Sequence, residues 1–237
     1  MEARNTKFHR VERDRIPQPE RLCWEGRWRL FGGQSLIELL VAMAVIIVGL
    51  TAAGMFVISN IRLQELSADR VIATNLAREG IEIAKAQRDS NWLAGCYFYN
   101  GMMQGSACTT EGVGNDYEAI PYVSTAGAFS GFDFTPDAMS DTNYTRLVRS
   151  TTAASAGMYI QGVEGGVPVP GSTTPFSRLM AFHLICADGF IKSSGAGGCS
   201  IPGHGDIVGL RVTSTVTWSK RGLAHSSVIV DDLYDWR

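Results

Sequence analysis

The chain has 237 residues, five cysteines and 21 Lys+Arg against 23 Asp+Glu, a formal net charge of −2. That balance excludes a strongly basic nucleic-acid binder and an acidic disordered tail, and a 45% hydrophobic composition leaves enough apolar chain for a core. The sum conceals an asymmetry: residues 1–33 carry eight basic side chains (Arg4, Lys7, Arg10, Arg13, Arg15, Arg21, Arg27 and Arg29) against five acids, a balance of +3, whereas the remaining 204 residues carry 13 basic and 18 acidic, a balance of −5.

An apolar run follows the basic head. From Leu39 to Ile58 there is no charged residue, and about 20 such residues in a helix rising ~1.5 Å each cross the ~30 Å hydrocarbon core of a bilayer. A core-packed helix of an ordinary soluble domain would keep a polar stripe toward solvent, and the h-region of a secretory signal peptide would be shorter and end at a small-residue cleavage site. A membrane span fits better on both counts, and the preceding Arg and Lys residues keep that end in the cytoplasm. Beyond Ile58 the pattern becomes amphipathic: Ile61, Leu66, Ile72, Leu76 and Ile83 recur among Arg62, Glu65, Asp69, Arg70, Arg78, Glu79, Glu82, Lys85 and Arg88. No proline lies between Pro19 and Pro121, so one helix from about Ser35 to about Arg88, roughly 80 Å long, is expected. Glu38 stands one turn into it, where a carboxylate costs several kcal/mol unless neutralised or paired.

The segment Gly32-Gly33-Gln34-Ser35-Leu36-Ile37-Glu38-Leu39-Leu40-Val41-Ala42 resembles the prepilin cleavage and methylation signal of the type IV pilin and pseudopilin superfamily, in a minor-pilin-like form. In that family a basic leader ends in glycine, an aromatic residue usually opens the mature chain, and glutamate is its fifth residue. Gly33 matches the leader's last residue and Glu38 the glutamate, while Gln34 stands where the family usually has phenylalanine. The resemblance implies cleavage by a prepilin peptidase between Gly33 and Gln34, N-methylation of Gln34, and pairing of Glu38 with the freed amine of a neighbouring subunit. It also implies a long helix whose outer half lies on an antiparallel sheet, other pilin-like subunits as filament partners, and an inner-membrane assembly platform and membrane lipid as surroundings. Residues 1–33 are then a leader, 34–58 the transmembrane and assembly half of the helix, 59–90 its amphipathic half, and 91–237 an extracytoplasmic β-rich head. Gly49 and Ala53 form a small-xxx-small pair that suits helix packing.

In the body, even positions Val208, Leu210, Val212, Val216 and Trp218 alternate with polar residues, so Ile207–Ser219 reads as a half-buried strand. Lys220-Arg221-Gly222 gives a turn, and Ala224–Val230 returns as the second arm of a hairpin through Val228 and Val230. Phe176–Cys186 is a third strand with Met180, Phe182, Leu184 and Cys186 on one face; shorter ones are expected at Ala119–Val123, Tyr144–Arg149 and Met158–Gln161. Thr151–Gly157 and Gly162–Gly171 read as exposed loops, and Leu233-Tyr234-Asp235-Trp236 as an aromatic clamp. The fold class is therefore α+β, a long N-terminal helix packed on a C-terminal antiparallel sheet with long loops.

Cys23 lies in the leader. The other four cysteines form two local pairs, Cys96/Cys108 and Cys186/Cys199, and an even number outside the membrane favours disulfides. Three connectivities are possible, of which the local one is expected. There is no C-x-x-C, and His183, His204 and His225 are not spaced as ligand pairs, so neither a metal nor a cofactor is expected. No G-x-S-x-G, P-loop or H-E-x-x-H occurs. Gly195-Ala196-Gly197-Gly198 reads as a flexible loop, Asn143-Tyr144-Thr145 is a glycosylation sequon of high chance frequency, and the adjacent Asp231 and Asp232 face opposite sides of a strand. The expectation is a non-enzymatic subunit of a type IV pilus or of a secretion or DNA-uptake pseudopilus. Its alternative is an unprocessed single-pass membrane-anchored extracytoplasmic binding domain. The −5 balance of the body makes nucleic acid a poor partner.

Overall fold

The computed structural model describes residues 36–103, 108, 118–123, 129–134, 141–164, 167–192, 199 and 205–236. Gly33, Gln34, His204 and Gly195–Gly198 lie outside the described residues. In chain order the elements are α1 (Leu36–Ala94), β1 (Glu118–Val123), β2 (Phe129–Asp133), α2 (Thr142–Thr145), β3 (Arg146–Ser150), β4 (Tyr159–Ile160), β5 (Val163–Glu164), β6 (Val167–Pro168), β7 (Gly171–Cys186), β8 (Ile191–Lys192), β9 (Ile207–Lys220) and β10 (Leu223–Tyr234). The expected class holds: one long apolar N-terminal helix and a C-terminal antiparallel sheet.

The chain divides into two compact units, residues 1–56 and 57–237. In the first, the described residues are helical and exposed along their whole length. In the second, β7 is the central strand. β9 pairs along one of its edges, while β3, β1 and β8 follow one another along the other, and β10 closes the sheet beyond β9. From Ala73 the helix buries Ala73, Leu76, Ala77, Gly80, Ile81 and Ala84, a spacing of three and four that puts them on one face. Four of the six are alanine or glycine, so the helix axis can lie close to the sheet. The sheet answers with Phe176, Met180, Phe182 and Leu184 of β7 and Leu210, Val212, Val216 and Trp218 of β9. Side chains of the size of Leu76 or Phe182 gain about 1.5–3 kcal/mol each on full burial.

Several expectations need correction. The helix ends at Ala94 rather than near Arg88 because its stop signal is Gly95, in the left-handed region at φ +73. The amide of Gly95 donates to the carbonyl of Trp92 (3.1 Å) and that of Cys96 to Asn91 (2.9 Å), the paired bonds of a Schellman closure. Tyr144 belongs to the single turn α2, not to a strand, and β3 starts only at Arg146. The Met158–Gln161 strand shrinks to Tyr159–Ile160. Gly162–Gly171 is not simply an exposed loop: it holds the β5–β6 pair, and Val169 is buried against Val148 and Ile160. In β10 the phase is opposite to that expected. Ile229, paired with Ser214, faces the helix side, whereas Val228 and Val230 are exposed. The strand must follow β9's register, and Leu233 opposite Leu210 fixes it.

Candidate functional site

Glu38 lies in the first turn of α1, and the side chains around it, Leu36, Ile37, Leu39 and Leu40, are exposed. The helix that carries it is long and apolar enough to cross a membrane, and none of its most apolar stretch is buried. An apolar helix exposed on every side has no face suited to water, and hydrocarbon is the solvent that fits it. The one hydroxyl in the run is provided for: Thr51 Oγ1 donates back to the carbonyls of Ile47 (3.0 Å) and Val48 (2.9 Å). Gly49 and Gly54 meet nothing within 4 Å of an added Cβ, so the small-residue surface is open. In the first turn, Glu38 lies toward the helix N-terminus, where the dipole favours negative charge.

Both expected disulfides are present, Cys96–Cys108 with Cα atoms 4.4 Å apart and Cys186–Cys199 at 5.5 Å. They differ in setting: Cys186 and Cys199 are buried, Cys108 is exposed and Cys96 intermediate. Beside the outer pair, Asn91 Nδ2 donates to the carbonyls of Phe98 (3.0 Å) and Asn100 (2.7 Å), while Gln87 Nε2 donates to Asn91 Oδ1 (3.0 Å). This ties the chain after the helix back onto its last turns. The expected clamp is present in part. Trp236 meets Trp92 edge-on at 4.4 Å, Arg88 covers the ring of Trp92 at 4.6 Å, and Leu233 is buried, but Tyr234 points outward. A cleft of about 410 Å³ opens here between Trp92, Tyr97, Phe98, the Cys96–Cys108 bridge and Asp235.

Two features were missed in the sequence. Arg178 is fully buried in the middle of the apolar row of β7. Its Nε donates to Gln161 Oε1 (2.7 Å) and its Nη1 to the carbonyl of Leu76 (3.0 Å), with Glu79 Oε2 at 3.7 Å; Gln161 Nε2 donates in turn to the Arg178 carbonyl (2.9 Å). Burial lowers the pKa of this guanidinium, with Glu79 opposing the shift. The signal was a charged residue at a core-facing position of a strict alternation. The second feature is the β9–β10 turn, where Lys220 pairs with Asp69 (2.9 Å) and Arg221 with Glu65 (3.4 Å) of the helix.

On the sheet, Asp231 and Asp232 do face opposite ways. Asp231 reaches Lys85 of the helix (2.9 Å), and Asp232 receives two bonds of 2.7 Å from Arg211. The hydrogen bond from Arg211 lowers the pKa of Asp232, and that with Asp231 raises the pKa of Lys85. His183, opposite Arg211 on β7, has its pKa lowered by burial and then by that cation. Among the described residues no cluster of three or more His, Cys, Asp or Glu side chains could hold a metal ion. No family model, curated protein or solved structure matches this chain.

Proposed function

We propose that this chain is a pilin-like structural subunit, cleaved after Gly33 and assembled through its N-terminal helix into a type IV pilus or a secretion or DNA-uptake pseudopilus. The observation that carries the reading is Glu38, a single carboxylate at the start of a helix that is otherwise uncharged to Ile58, five residues after Gly33. Cleavage would place the Gln34 amine at the same apolar edge. A neighbouring subunit's amine then neutralises Glu38 when both are withdrawn from water, relieving a burial cost that each carries alone. On this reading the prepilin peptidase, other pilin-like subunits, an inner-membrane assembly platform and membrane lipid are its partners. The N-terminus faces the cytoplasm before processing, the head lies outside it, and the chain itself catalyses nothing.

The test is expression with an active prepilin peptidase, followed by mass spectrometry of the membrane-bound chain. The expected N-terminus is Gln34, with or without a methyl group, and Glu38→Leu should abolish incorporation into filaments while leaving the head folded. An intact N-terminus and normal export of Glu38→Leu would instead support an unprocessed single-pass membrane-anchored binding domain. Gln34 in place of the usual aromatic residue bears on methylation more than on cleavage.

A further inference from the structure

We propose that the tip of the β9–β10 hairpin, together with the turn of α1 beside it, is a contact surface for a bilayer rich in anionic phospholipid. The proposal rests on the membrane-anchor part of the function above and not on filament assembly.

The surface is a groove of about 170 Å³ with Leu63, Leu66 and Leu223 among its lining and Arg62, Lys220 and Arg221 as its cations. Leu63 and Leu223 are 62% and 67% exposed, a high fraction for leucines within a folded unit. Lys220 and Arg221 are shared with Asp69 and Glu65, whereas Arg62 has no ion pair among the described residues, so positive charge is in local excess. This reverses the −5 balance of residues 34–237. Apolar side chains flanked by long cations match the chemistry of a lipid headgroup layer: the alkyl stems and leucines lie against the lipid surface while the charged ends meet phosphates.

Position along the chain selects lipid over other occupants. Leu63 is five residues beyond Ile58, the end of the uncharged run, in the same helix. Five residues of helix advance ~8 Å, and the headgroup layer on each side of the hydrocarbon is about 5–8 Å deep. The hairpin tip is held beside this level by Arg221 on Glu65 and Lys220 on Asp69. The turn itself has Arg221 at φ 55 and Gly222 at φ 80, the two left-handed residues of a type I′ connection. Asparagine suits the first of those positions better than arginine, so Arg221→Asn removes the charge without weakening the turn.

The experiment uses the full chain with Cys23→Ser and Ser219→Cys, which places one fluorophore on exposed strand surface beside the groove. Quenching by headgroup-nitroxide lipid is read in vesicles of phosphatidylcholine alone or mixed with phosphatidylglycerol, with flotation as the measure of anchoring. Quenching is expected in the mixed vesicles, weaker in the neutral ones and reduced by salt. Each charge removed should lower the contact equilibrium ~5-fold, so Arg62→Gln with Arg221→Asn should lower it about 25-fold. Three results would overturn the proposal in a chain that still floats: no quenching in either lipid, equal quenching in both that ignores the double substitution, or quenching that follows protein density rather than lipid charge, which would make a second copy the occupant. A chain that fails to float removes the anchor and the proposal with it.

Discussion

Gly80 is where helix and sheet come closest. A Cβ added there would lie 2.7 Å from Ser214 Oγ and 3.3 Å from Met180 Sδ, and that hydroxyl is buried without a hydrogen-bond partner among the described residues. Alanine at position 80 would gain about 1 kcal/mol in helix propensity but lose about 1–3 kcal/mol to overpacking. Gly80→Ala should therefore destabilise by roughly 1 kcal/mol, whereas Ser214→Ala, which deletes an unsatisfied hydroxyl, should be neutral or stabilising. In the Ser214→Ala background Gly80→Ala should turn favourable; additive urea-denaturation energies would refute the close approach. Arg178 poses the opposite problem, a buried charge held mainly by neutral oxygens. Removing only Gln161, as in Gln161→Leu, should cost about 3 kcal/mol because the guanidinium keeps its burial and loses its best acceptor. Adding Arg178→Met should recover most of that loss, since replacing both members of a buried polar pair by apolar groups is often nearly neutral. A double variant less stable than Gln161→Leu would show that the pair contributes net stability.

The two disulfides close loops of similar length, with separations of 12 and 13 residues, each worth about 3 kcal/mol in the loop-entropy account. Their exposure differs, and access governs thiol exchange. Under mild reduction of the folded chain, Cys96 and Cys108 should be alkylated first, and Cys186 and Cys199 only once the sheet opens; peptide mapping after timed alkylation gives the order, and simultaneous loss would contradict it. Local cysteine pairing could be read in the sequence because short separations leave little conformational choice. The alternation through Leu210, Val212, Val216 and Trp218 could be read for a related reason, since one strand face must be apolar. The phase of β10 could not: Ser227 and Ile229 against Val228 and Val230 gives little contrast, and only pairing with β9 decides it. Arg178 was hidden because its partner Gln161 lies 17 residues away in a short strand region, and its other acceptor is a helix carbonyl 102 residues distant. Of the candidate site, Glu38 was visible as a charge in an apolar run, whereas the hairpin-tip contact with Glu65 and Asp69 depends on a fold that places residues more than 150 apart side by side.

The charges that bridge elements also set how the folded unit responds to pH. Asp232 has its pKa held below the ordinary 3.8 by Arg211, so its contribution is complete above that value and lost as pH falls through the folded value. Lys85 is held above its ordinary 10.5, so its contribution is complete below that value and lost as pH rises through the folded one. Asp232→Asn should flatten the acid limb of a stability–pH profile and Lys85→Met the alkaline limb, each modestly and less in high salt, because both pairs are partly exposed. Among the described residues every buried hydrophobic side chain lies between Ala73 and Leu233, and none of the most apolar stretch of α1 is buried. If the apolar half of the helix is a membrane anchor, as proposed, the two halves answer to different solvents, and the folded unit should not need the apolar one to fold. A chain beginning at Ile61 should be soluble without detergent and unfold cooperatively within ~2 °C of the full-length protein in micelles, the range expected when only surface contacts are lost. Aggregation of that chain, or a melting temperature lower by ten degrees or more, would mean that residues before Ile61 are part of the core. The assignment of the Leu39–Ile58 run to hydrocarbon would then have to be abandoned.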